Sequence, residues 1–119
     1  MKYITLIIGL LVVGCASTPT MESVAGTYER KKDVETTTRM VLLKNGISEW
    51  HVNGRIRAVD TGWWSISKDG EIYDHFSDGS IFVLRINKDR SITDIADIDI
   101  NGKRTDSPKE KQFTYKKIK

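Results

Sequence analysis

Five glycine turns constrain this chain more than any other feature. Asn45-Gly46, Asn53-Gly54, Asp69-Gly70, Asp78-Gly79 and Asn101-Gly102 punctuate its second half and the stretch before it. Between them stand short runs rich in Val, Ile, Thr, Tyr, Phe and Trp. Such runs favour extended backbone, and Gly-containing pairs favour tight hairpins. An Asn-Gly pair suits a turn with positive φ at both central residues, which matches the twist of the flanking strands. No stretch after Val24 keeps a helical period for more than a turn or two. The chain reads as antiparallel β structure.

The runs place strands at residues 24–31, 36–44, 47–52, 55–67, 71–76, 80–86, 91–100 and 112–118. Residues 55–67 make a long strand, expected to bend or bulge near Gly62. Eight strands joined in sequence form an up-and-down meander, and closing it into a barrel removes the exposed edges. Alternation selects an inner face: Trp64 and Ile66, then Phe82, Leu84 and Ile86, then Phe113 and Tyr115. Residues 91–100 break alternation, and a bulge near Thr93-Asp94 reconciles Ile92 and Ile95 with Ile98 and Ile100. Ser107-Pro108-Lys109-Glu110 predicts one helical turn, with Ser as cap, Pro at the first helical position and Glu at the third.

Gly26-Thr27-Tyr28, Leu42-Leu43-Lys44-Asn45-Gly46, Gly62-Trp63-Trp64-Ser65 and Ile92-Thr93-Asp94-Ile95-Ala96 together resemble small bacterial lipocalin-like domains. The resemblance covers most of residues 24–118. It implies an all-β, up-and-down barrel of about eight strands. Tyr28 stands where classical lipocalins have Trp, and the domain is shorter than theirs. A hollow cup and an interior filled by side chains both stay open.

The chain begins with Met1-Lys2 and eleven almost wholly apolar residues, 3–13. That length suits a secretory signal and falls short of the roughly 20 residues of a membrane span. Val12, Gly14 and the sole cysteine, Cys15, follow in a pattern that resembles the lipobox of bacterial lipoproteins. The resemblance implies a signal peptide at residues 1–14, diacylglycerol on the Cys15 thiol and an acylated new amino terminus. Two or three acyl chains hold a protein on a bilayer where one holds only marginally. Ala16 after the cysteine implies the outer membrane, on its periplasmic face, in a Gram-negative cell. Residues 15–23 read as lipidated cysteine and tether, and 24–119 as the barrel domain.

With Cys15 committed to lipid, no internal disulfide staples this small domain. Residues 15–102 carry 11 basic and 14 acidic groups, and residues 103–119 carry 7 basic and 2 acidic. The basic end reads as a solvated strand and loop, with contact to anionic headgroups as the alternative. Outside the cytoplasm, nucleic acid is not an expected partner.

Candidate chemistry is sparse. Asp97-Ile98-Asp99-Ile100-Asn101-Gly102 begins like a calcium loop, but its twelfth position is Pro108 where a bidentate Glu belongs. His51 and His75, with Glu49 or Asp74 nearby, fall short of a zinc site, so no metal and no cofactor are expected. No Gly-x-Ser-x-Gly elbow is present, and an enzyme is not expected. Adjacent Trp63 and Trp64 must point to opposite faces of a strand. With Trp64 inside, Trp63 lies outside or at a rim, beside Arg55 or Arg57. Exposed Trp and Arg are favoured binding anchors. The expectation is a monomeric, non-catalytic envelope lipoprotein binding an apolar small molecule or envelope lipid at the barrel mouth. The alternative is a protein–protein module, an assembly factor or hydrolase inhibitor, using the outer face around Trp63.

Overall fold

The computed structural model describes residues 19–119, with backbone only at 57–60. Cys15 and the start of the tether lie outside the described residues. The elements are α1 (Met21–Val24), β1 (Gly26–Lys31), β2 (Thr37–Leu42), β3 (Ile47–Val52), β4 (Arg55–Ile66), β5 (Ile72–Phe76), β6 (Ile81–Ile86), β7 (Ile92–Ile98), β8 (Arg104–Asp106) and β9 (Thr114–Lys117). A single 3-10 turn at Lys109–Lys111 joins the last two strands.

Strands β1 to β7 pair in sequence, and β9 then bridges β7 to β1. The result is a closed antiparallel eight-stranded barrel. Closure is brief on both sides: Ile92↔Tyr115 and Thr93↔Thr114 on β7, Tyr28↔Lys117 and Glu29↔Lys116 on β1. The short, wholly exposed β8 extends β7 beyond β9 through Ala96↔Asp106 and its neighbours. Sequence reading misses this ninth strand, because three solvated residues show no alternation.

The turns are of two kinds. Only Asn53-Gly54 is a two-residue turn with positive φ at both positions, 52° and 81°. The other four glycine turns are three-residue loops whose last residue alone is left-handed, as between Leu43 and Ile47. Asn45-Gly46 and Asn101-Gly102 therefore depart from the expected two-residue geometry. The β6–β7 turn has the same three-residue frame, with Arg90 at φ 72° where its sisters place glycine.

Barrel interiors of this size are filled by side chains. Here Tyr28, Met40, Leu42, Trp50, Trp64, Ile72, Leu84, Ile92 and Tyr115 form the core, with Ile66, Phe76, Phe82 and Ile86 packed against it. Fully burying one large apolar side chain contributes roughly 1.5–3 kcal/mol. The expected inner residues on β4 and β6, and Tyr115, take those places. Phe113 does not: it lies before β9, is exposed, and carries the Arg30 guanidinium 3.7 Å above its ring.

Two bulges adjust the barrel. The β6–β7 register slips between Val83 and Leu84, leaving Ile95 as the extra residue, next to the expected Thr93-Asp94. On β4 the irregularity falls at residues 57–60, opposite Trp50, a few residues before Gly62. Gly62 has another task. A Cβ there would overlap the His75 carbonyl oxygen, so only glycine allows β4 and β5 to pair at this point.

At one barrel end, residues read as tether form structure instead. Thr20 and Ser23 make a reciprocal capping box, 3.1 Å in each direction, that nucleates α1. Val24 is thereby buried under the barrel, and Tyr28 Oη donates to its carbonyl. The expected cap at Ser107 is not made: its N–H donates to Ile95 O, and Pro108 holds the cap position without a side-chain bond. Among the described residues every buried side-chain polar atom has a partner. The barrel closes and satisfies its interior using described residues alone.

Candidate functional site

The β4–β5 hairpin is aligned by the loop containing Asp69 and Gly70, which pairs Ile66 with Ile72 and hence Trp63 with His75. Trp64 and Asp74 point inward, so Trp63 and His75 point outward. Their rings stack with centroids 3.5 Å apart and planes within 4°. Trp63 remains 55% exposed, and Tyr73 tilts toward His75 at 6.4 Å. Partial burial lowers the His75 pKa below the ordinary histidine value and so favours the neutral imidazole in the stack.

The pair belongs to a longer row. Ile47, Trp63, His75, Ile81 and Ile98 are successive register partners from β3 to β7. Ile47 is 39% exposed, and Ile100, 71% exposed, lays its side chain beside Gly79. The outer wall thus carries an apolar band centred on an aromatic stack, where alternation would ordinarily place polar groups.

The other expected site residues are separated from this band. Trp64 is buried and donates Nε1–H to Leu43 O at 2.9 Å, a structural role. Arg55 is exposed and pairs with Val52 at the opposite end of β4. The β3 partners of Arg55 and Trp63, Val52 and Ile47, lie five residues apart, about 17 Å at the usual rise. Arg57 lies on the same strand, and its side chain is outside the described residues. A Trp–Arg anchor with Arg55 is therefore not assembled; the partner of Trp63 is His75. The hairpin register points to this pair once the turn length is known.

Two interior carboxylates also escape sequence reasoning. Asp74 is fully buried and accepts from Ser48 Oγ and, at 2.7 Å, from Trp50 Nε1. Burial raises its pKa despite both bonds. The signal lies in Ile72-Tyr73-Asp74-His75-Phe76, where Asp74 shares the core-facing parity of Ile72. Asp94 sits near Tyr115, and burial with the neighbouring Asp97 charge pushes its pKa up to about 6. His51 contacts Glu49 at 3.2 Å. Among the described residues no cluster of three His, Cys, Asp or Glu is placed to hold a metal. Asp99 is a turn residue, accepting from the Asn101 and Lys103 amides.

The interior is crowded at the level of Trp50. Its ring meets Tyr115 at 5.5 Å, Phe82 at 6.1 Å and Phe76 at 6.3 Å, from strands on other sides of the barrel. No family model, curated protein or solved structure matches the chain.

Proposed function

We propose that this protein is a lipid-anchored envelope lipoprotein whose small, lipocalin-like barrel is a non-catalytic protein-interaction module. The Trp63–His75 stack carries the reading: it lies at the centre of an outward-facing apolar row in which Ile47 and Trp63 are exposed and His75, Ile81 and Ile98 half-buried. Partly exposed aromatic anchors flanked by aliphatic side chains are the usual cores of protein interfaces. The partner is another envelope protein that presents an apolar surface to this wall. The anchor and its location rest on the lipobox resemblance at Cys15. No helix among the described residues is long and apolar enough to cross a membrane.

The alternative is an apolar ligand at the barrel mouth, and it is the weaker reading. Rings from four strands already meet across the axis, which leaves a cup little room at that level. Asp74 is read as structural, since both its oxygens are engaged by neighbouring side chains.

The test is site-specific photocrosslinking in the native envelope. A crosslinker replacing Ser65 on the outer wall of β4 should trap one protein species, and Trp63→Ala should abolish it. Equal trapping from a crosslinker at Val34, in the distant β1–β2 loop, would sink the assignment of this face.

A further inference from the structure

A second feature lies at the α1 end of the barrel. A cleft of about 750 Å³ opens there between α1, the β4–β5 turn and the β6–β7 turn. Arg85, Lys88, Arg90 and Lys117 line it, and among the described residues none of the four forms an ion pair. Of the two carboxylates at its edge, Glu71 is taken by Arg104 at 3.2 Å, which leaves Asp69. Asn87 Oδ1 accepts from Arg85 Nε and steadies that guanidinium. The cleft is a net cationic basin.

Arg90 occupies it at a conformational cost. Its turn has the same frame as four others, and all four place glycine at this left-handed position. A side chain there is disfavoured by steric contact with the backbone. Pro19 forms part of the same cleft. Only residues 16–18 separate Pro19 from Cys15, so the α-carbon of Pro19, at the cleft's edge, lies within about 14 Å of that of Cys15 however the segment runs.

We infer that this cleft binds the anionic phosphate headgroups of the membrane to which the protein is tethered. The inference rests on the reading that Cys15 carries lipid, which confines this barrel end to the headgroup layer. There Arg supplies a planar fork suited to phosphate oxygens and Lys a point charge. The contact orients the barrel with α1 down and leaves the Trp63 wall facing sideways for a protein partner.

The experiment uses residues 16–119, which lack the apolar leader and the acylated cysteine and keep the closed barrel. Its partition onto vesicles of phosphatidylglycerol and phosphatidylcholine in equal parts is compared with phosphatidylcholine alone. Binding should require the anionic lipid and weaken with salt. Lys88→Gln with Arg90→Gly should lower the partition roughly twenty- to thirtyfold, about fivefold per cation. Because Arg90→Gly removes a disfavoured φ, thermal stability should hold or rise, which separates lost binding from lost fold. Lys32→Gln with Lys103→Gln, at the opposite end, should leave the partition unchanged; an equal loss there would overturn the inference in favour of net charge alone. So would equal binding to both vesicle types, or Arg90 resonance shifts with inorganic phosphate in the absence of vesicle binding. Acyl labelling of wild-type Cys15 is read separately. Labelling without anionic preference removes the cleft alone, and anionic preference without labelling removes the anchor alone.

Discussion

Trp63 and His75 lie face to face across the β4–β5 hairpin, with planes within 4° and centroids 3.5 Å apart. The contact half-covers an imidazole on the outer wall and leaves the indole open on its other face. Trp63→Ala uncovers His75, whose pKa should then return upward toward the ordinary histidine value. Titrating the imidazole by NMR in both proteins reads this directly. The stability cost should stay near or below about 1 kcal/mol, because the indole is more than half exposed. An unchanged His75 titration would contradict the stack.

Asp74 ties β5 to β3 through Ser48 and Trp50. Asp74→Ala leaves a buried hydroxyl and a buried indole N–H without an acceptor, at about 1–3 kcal/mol each. A loss of roughly 2–5 kcal/mol is expected by urea denaturation. Asp74→Asn should cost far less, since its amide can accept from Trp50 and donate to Ser48. Burial raises the Asp74 pKa, so the protonated acid, which Asn mimics, is favoured by the fold.

Asp94 gives the stability a slope with pH. Its folded pKa is about 6, above the ordinary carboxylate value, so the folded state holds the proton more tightly than the unfolded chain. Its contribution is full below about pH 4 and is lost as pH rises through 6. Asp94→Asn should flatten this part of the profile and raise the melting temperature at pH 7. Melting curves from pH 4 to 7 test it; a variant less stable at pH 7 would contradict a carboxylate held protonated by partial burial.

Gly62 is a matter of space. Its α-carbon faces the His75 carbonyl so closely that a methyl group would overlap the oxygen. Gly62→Ala should cost more than about 3 kcal/mol or prevent folding, well beyond the roughly 1 kcal/mol of an ordinary strand substitution. Amide exchange should show the loss first at the Trp63–His75 rungs of the hairpin.

Much of the barrel is legible in the sequence because its rules are local. Ile47–Val52 stands where the alternation and its flanking Asn-Gly pairs place it, and Trp64, Leu84 and Tyr115 face inward by parity alone. Features set by tertiary contact are harder to read. Phe113 shares parity with Tyr115 but precedes the strand, so Arg30 rather than the core covers it. Thr20 and Ser23 are polar residues of a segment read as a tether, and they form a helix because it caps a barrel end. The Trp63 site is half legible: adjacent tryptophans reveal one outward ring, but His75 becomes its partner only through the hairpin register. Arg90 in a glycine-type turn has no local rationale; its place in the cleft supplies one.

The most direct test of the account is native mass spectrometry of the protein gently isolated from its own envelope, wild type beside Trp63→Ala. The account predicts a stoichiometric protein partner bound to the wild type and absent from the variant, with no lipid-sized mass held in the barrel. A small apolar molecule retained by both proteins, with no protein partner on either, would contradict it.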